Sequence, residues 1–113
     1  MNFQIKELLL ADGDSPFAEW FRSLEAIAAA KVRVAVSRME QGNLSNVEWF
    51  RGIGEYKIDW GPGFRIYLAK DGLKIIILIG GGTKKRQQQD IDQAVALWED
   101  YKRRKASTSK GGK

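Results

Sequence analysis

The chain of 113 residues contains no cysteine and no histidine. Without cysteine there is no disulfide framework and no thiolate metal site, which fits a reducing compartment. Without histidine, imidazole acid–base catalysis is excluded and a transition-metal site loses its commonest ligand. No metal or cofactor is expected. Long apolar runs are also missing. The longest, Ile75 to Ile79, is far too short to span a bilayer. The N-terminus lacks the basic segment and apolar run of a secretory signal. These absences point to a cytoplasmic protein with no membrane association.

What is present fits one domain. Hydrophobic residues make up 43% of the chain, enough for a small core. The net charge of +5 is unevenly spread: residues 1–50 carry −2 and residues 51–113 carry +7. A basic half suits a polyanionic partner, either nucleic acid or an acidic protein.

Turn and cap signals divide the chain. Phe3 to Leu10 reads as a first strand, broken by Asp12-Gly13-Asp14. Ser15 before Pro16 is a helix start, serine as N-cap and proline in the first turn. Phe17, Trp20, Phe21 and Leu24 follow at helical spacing, and the helix is expected to end near Leu24. Ala26 to Gln41 is a second, alanine-rich helix stopped by Gly42-Asn43. Val47 to Phe50 is a short strand or an extended lead-in. Glu55 to Trp60 alternates polar and apolar, and Gly61-Pro62-Gly63 joins it to a strand over Phe64 to Ala69. Lys70-Asp71-Gly72 turns into Leu73 to Ile79, a central strand expected to end at Gly80-Gly81-Gly82. Gln89 to Lys105 is a last amphipathic helix. Residues 1–105 form the domain, and 106–113 are a polar tail with the composition of disorder. The expected class is α+β: a small, mostly antiparallel sheet, order β-α-α-β-β-β-α, with helices packed on one face.

Alternation and the Gly-Pro-Gly hairpin bring Glu55, Lys57, Arg65 and Tyr67 to one sheet face. They form either a reactive patch or, by default, a solvated face with a cross-strand ion pair. Gly80-Gly81-Gly82 followed by Thr83-Lys84-Lys85-Arg86 is open between an anion-cradling loop and a flexible connection with a basic tip. Lys102-Arg103-Arg104-Lys105 lies at a helix C-terminus, where cations complement the dipole; phosphate contact there is a secondary reading. Of four tryptophans, Trp20 and Trp98 are assigned to the core, while Trp49 and Trp60 are open between packing and base stacking.

Several segments together resemble the RelE/ParE superfamily, and within it the HigB-like addiction module killer proteins. They are Gly54-Glu55-Tyr56-Lys57-Ile58, Gly61-Pro62-Gly63-Phe64-Arg65-Ile66-Tyr67, Leu78-Ile79-Gly80-Gly81-Gly82-Thr83-Lys84 and Gln88-Gln89-Asp90-Ile91 with Ala94. Phe17, Trp20, Phe21, Leu24 and Gly42-Asn43 extend the likeness into the first half, so that it covers residues 3–101. The resemblance implies the toxin of a type II toxin–antitoxin module that cuts mRNA on the ribosome. Its implied partners are that mRNA and a cognate antitoxin, often of helix-turn-helix type. In the implied reaction the 2′-hydroxyl attacks the adjacent phosphorus and expels the 5′-oxygen. Glu55 is then the base, Arg65 the phosphate grip, and Lys57 and Lys84 stabilise developing charge. Lys84, Lys85 or Tyr67 protonates the leaving oxygen; some members use a histidine for which this chain has no counterpart. Lys85, Arg86, Lys102 and Arg103 are the implied RNA contacts. The resemblance also admits a ParE-like inhibitor of DNA gyrase that cuts nothing, and a degenerate toxin that only binds its antitoxin.

Overall fold

The computed structural model describes residues 2–111. Its elements are β1 (Gln4–Glu7), α1 (Pro16–Arg22), α2 (Ala26–Glu40), β2 (Val47–Phe50), β3 (Ile53–Ile58), β4 (Phe64–Asp71), β5 (Ile75–Thr83), a 3-10 turn (Lys84–Arg86) and α3 (Gln87–Gly111). The class is α+β. Four strands form an antiparallel meander, β2 to β5, and β1 joins parallel to β5, giving the order β1-β5-β4-β3-β2. Val47–Phe50 is thus a full strand and not a lead-in, so four strands follow the helical hairpin where the sequence predicts three. Its turn, Arg51-Gly52, has two residues, both at positive φ (53° and 82°). That geometry matches the twist of a tight hairpin.

The first helix starts where its cap predicts. Ser15 Oγ accepts the Ala18 N–H at 3.0 Å, and Pro16 opens α1. The run of alanines brings α2 close to the sheet. Ala28, Ala29, Val32, Ala35 and Met39 are buried, and Val32, Ala35 and Met39 join Phe17 of α1 against Tyr56, Ile66, Leu68, Ile76 and Leu78. The second core lies on the opposite side of the sheet. There Ile91, Ala94 and Trp98 of α3 pack on Ile53, Tyr67, Ala69, Ile77 and Ile79, with Leu8 beside them. Each such aliphatic side chain contributes about 1.5–3 kcal/mol on burial.

This two-sided arrangement corrects the expectation of helices on one face. Charged residues at alternate positions of β3 and β4 imitate a solvent face, yet Ile53, Tyr67, Ala69, Ile77 and Ile79 share that side and need a cover. The amphipathic α3 supplies it.

The glycine run is a second correction. Gly80, Gly81 and Gly82 do not end the strand; they pair with Tyr67, Ile66 and Arg65 as the last part of β5. They are neither an anion loop nor a flexible connection. A Cβ on Gly81 would run into the Trp20 ring of α1, and one on Gly82 into the Asp90 carboxylate of α3. Glycine lets both helices close on the strand from opposite sides. The pairing slips by one residue between Tyr67 and Leu68, leaving Ile79 as the bulged residue.

The last helix also begins earlier and ends later than the expected span of Gln89 to Lys105. It runs through residues 106–111 of the expected disordered tail, a stretch in which Ala106 favours helix and nothing before Gly111 strongly breaks one. Residues 112 and 113 of that tail lie outside the described residues.

Candidate functional site

The site is built on two alternate rungs of the β3–β4 ladder, which share one face. Glu55 stands opposite Tyr67, and Lys57 opposite Arg65. The two-residue turn at Arg51-Gly52 makes Phe50 and Ile53 a hydrogen-bonded pair. Alternation then makes both of these rungs non-hydrogen-bonded pairs toward β4, the kind in which side chains come closest. On β5 the same rungs continue as Gly80 and Gly82. The absence of a side chain at Gly82 leaves room for Asp90 in the first turn of α3 to descend beside the cluster.

Glu55 is the centre. Its side chain is 1% exposed. The Tyr67 hydroxyl donates to its Oε2 at 3.0 Å, and the Gln87 amide Nε2 donates to Oε2 at 3.0 Å and Oε1 at 3.3 Å. Arg65 Nε lies 3.6 Å from Oε2 and Lys57 Nζ 4.0 Å from Oε1. The buried carboxylate is therefore both hydrogen-bonded and paired, as a buried charge must be. Arg65, 7% exposed, donates through Nη1 to the Gly63 carbonyl at 2.9 Å. Its Nε is buried without a hydrogen-bond partner. The same Gly63 carbonyl accepts the Lys84 N–H at 3.0 Å, so one oxygen ties the guanidinium to the start of the basic turn.

Burial and the neighbouring Glu55 carboxylate push the Tyr67 phenol far above its ordinary pKa of 10, so its proton stays in the bond to Glu55. Desolvation over Gly82 raises the Asp90 carboxyl above 3.8, with the Arg86 charge opposing it.

The structure brings Glu55, Arg65 and Tyr67 together and places them inside, not on a solvated face. Lys57 is half exposed and bridges to Glu48 at 3.6 Å as well as facing Glu55. Lys84, Lys85 and Arg86 are exposed on the 3-10 turn, beside Arg65 through Gly63. Lys102 and Arg103 are not part of this assembly. They sit about 22 Å further along α3 at 1.5 Å per residue, paired with Glu99 at 2.9 Å and Asp100 at 3.8 Å. Trp98 is core and Trp20 packs against the core, whereas Trp49 and Trp60 are 44% and 37% exposed. Gln87 and Asp90 are the members that residue patterns do not single out. Their only signal is position, at the start of an amphipathic helix just after a basic turn.

Among the described residues no group of three or more carboxylates is placed to hold a metal ion, and no helix is long and apolar enough to cross a membrane. Chemically, the assembly offers an anion grip at its rim and a carboxylate held ready behind it.

No family model and no solved structure matches the chain. A search of curated proteins finds an uncharacterized protein of Haemophilus influenzae, 34% identical over 102 residues, which span 88% of this chain and 97% of the relative. Identity at that level over nearly the whole of both chains marks common descent, and the chain belongs to the same family as this Haemophilus influenzae protein.

Proposed function

We propose that the protein is the toxin of a type II toxin–antitoxin module, cytoplasmic, and that it inhibits translation by cutting mRNA on the ribosome. The observation that carries this reading is the clustering of Glu55, Arg65, Lys57 and Tyr67 on alternate rungs of one sheet face, with the turn that carries the exposed cations Lys84, Lys85 and Arg86 held to the same corner by the Lys84 N–H on the Gly63 carbonyl. In this reading Lys84, Lys85, Arg86 and Lys57 receive the RNA backbone. Arg65 holds the scissile phosphate. Glu55 takes the proton of the 2′-hydroxyl as that oxygen attacks phosphorus, and the 5′-oxygen departs with a proton from Lys84 or Lys85. The products are a 2′,3′-cyclic phosphate and a free 5′-hydroxyl. A positioned base is worth about 10²–10⁴-fold in such a step. Because Gln87 occupies the Glu55 carboxylate, catalysis requires the amide to move aside when RNA arrives.

The near-complete burial of Glu55 favours a second reading. There the cluster is a structural clamp, and the protein acts by binding alone, as an inhibitor of DNA gyrase or as an antitoxin-binding relic of a toxin.

Primer extension on a defined mRNA, with and without translating ribosomes, separates them. Lys57→Ala and Lys84→Ala are the informative variants, since both side chains are exposed and their loss leaves the fold intact. Ribosome-dependent cuts that weaken in both variants support the nuclease; Arg65→Ala should abolish them, with a thermal melt to show that it is folded. No cuts by the wild type would overturn the nuclease reading and direct the test to gyrase-dependent DNA breakage.

A further inference from the structure

Charge does not distinguish RNA from DNA. Both present the phosphates that Lys57, Lys84, Lys85 and Arg86 would receive. A site that acts on RNA must therefore read the sugar, whose 2′-hydroxyl DNA lacks. Gln87 is placed to do this.

Gln87 is half-buried and covers the Glu55 carboxylate, itself 1% exposed. The Tyr67 hydroxyl serves Oε2 alone, at 3.0 Å. The Gln87 amide serves both oxygens, and among the described residues it is the one hydrogen-bond donor to Oε1, at 3.3 Å. Lys57 Nζ, 4.0 Å from Oε1, is beyond hydrogen-bond reach and is shared with Glu48 at 3.6 Å. Removing the amide leaves Oε1 bare in a buried setting, which is costly unless a new donor takes its place.

The helix start around Gln87 is pinned. Asp92 accepts from Arg51 at 2.8 Å and from Gln88 at 3.1 Å, Ile91 is buried, and Asp90 lies over Gly82. The movable part is the Gln87 side chain, by rotation toward solvent. Gln87 also follows Arg86 directly, and its N–H bonds the Lys84 carbonyl. A strand laid on the basic turn thus lies next to the amide.

We propose that Gln87 is a sugar-reading gate: its amide holds the place of the substrate's 2′-hydroxyl on Glu55, and a nucleotide must bring that hydroxyl to displace it without loss. The proposal rests on the RNA-cutting reading and adds to it the residue that selects ribose. RNA turns the amide out and gives Oε1 its own O–H, whose proton Glu55 takes as the oxygen attacks. DNA has no donor to offer, so the gate stays shut or opens onto an unsatisfied carboxylate. One hydrogen bond to a charged group is worth roughly tenfold to a hundredfold in binding.

Fluorescence anisotropy at low salt, with a labelled single-stranded RNA and the DNA of the same sequence, tests the gate. The wild type should favour RNA by at least about tenfold. In Gln87→Ala a water can stay on Glu55 beside a deoxyribose, so DNA should bind more tightly and the preference should fall towards one. Gln87→Met keeps the bulk without the donor and should follow Gln87→Ala; a wild-type preference in Gln87→Met would assign the effect to bulk and overturn the gate. No wild-type preference for RNA, no binding of either strand, or an unchanged preference in Gln87→Ala would each overturn it too. Primer extension with translating ribosomes, run on the same proteins, separates the two conclusions. Wild-type cuts with an unchanged preference in Gln87→Ala would remove the gate and leave the nuclease; no wild-type cuts would remove both.

Discussion

Tyr67 and Gln87 hold a carboxylate that has almost no contact with solvent, and this sets the energetic ranking of substitutions around it. Tyr67→Phe removes one hydrogen bond to a charged group and should cost about 1.5–3 kcal/mol. Glu55→Gln keeps the shape but leaves the buried Arg65 without its counter-charge, and should cost more, about 3–5 kcal/mol. Denaturant unfolding of the two variants checks the order; equal, small losses would mean that solvent reaches the cluster. Asp90 supplies a pH signature. Its carboxyl is raised above 3.8 in the folded state, so the fold favours the protonated form, and the Asp90 contribution to stability falls as pH rises through the folded value. Asp90→Asn cannot ionise. Its stability relative to wild type should therefore rise from pH 3.8 towards neutrality, and a flat difference in melting temperature over that range would contradict the desolvation account. The grouping of Glu55, Arg65 and Tyr67 was readable from alternation and one Gly-Pro-Gly turn. Their burial was not, because a strand's own sequence does not say what lies above it. Gln87 acquires its role only once α3 is folded down, so no local pattern could mark it.

The elements with the clearest punctuation were read most accurately. Ser15-Pro16 and Gly42-Asn43 bound the helical hairpin because caps and left-handed glycines act locally; Gly42 sits at φ 97° and its N–H bonds Met39 O. The last part of β5 was misread for the opposite reason. Three consecutive glycines look like a breaker, and their value here is the space they leave for Trp20 and Asp90. This gives a test within one tripeptide. Gly81→Ala and Gly82→Ala should each lose about 1–3 kcal/mol as a helix is pushed off the strand. Gly80→Ala, whose Cβ would meet nothing within 4 Å, should be close to neutral. Equal effects at all three sites in thermal unfolding would show that backbone freedom, not helix approach, explains the glycines.

For the molecule as a whole, the charge asymmetry visible in the sequence has a geometric counterpart. The exposed cations of the 3-10 turn lie at the mouth of the Glu55–Arg65 cluster, while Lys102 and Arg103 are spent on neighbouring carboxylates. If RNA is the partner, the salt dependence of binding should report that division. Each phosphate contact to a single strand contributes about −0.7 to the slope of log K against log salt. Replacing Lys84, Lys85 and Arg86 together by alanine should then flatten the slope by about 2, whereas Lys102→Ala with Arg103→Ala should leave it unchanged. Filter binding of a single-stranded RNA over a salt series measures both, and a slope change confined to the second variant would move the contact surface to the distal part of α3.

The placement of β1 at the far edge of the sheet has a consequence for the birth of the protein. Gln4 pairs with Ile75 and Glu7 with Leu78, so the strand made first waits for the strand made last. At about 5–20 residues per second of synthesis, β1 goes unpartnered for roughly 4–14 s while the intervening chain emerges. The α1–α2 hairpin, built from local contacts, can form in that interval, but the sheet cannot close around it. The Glu55 cluster waits longer still, until Gln87 and the helix behind it leave the ribosome. A nascent chain of this protein thus carries an unfinished site for most of its own synthesis, and a chain truncated before Gln87 never completes it.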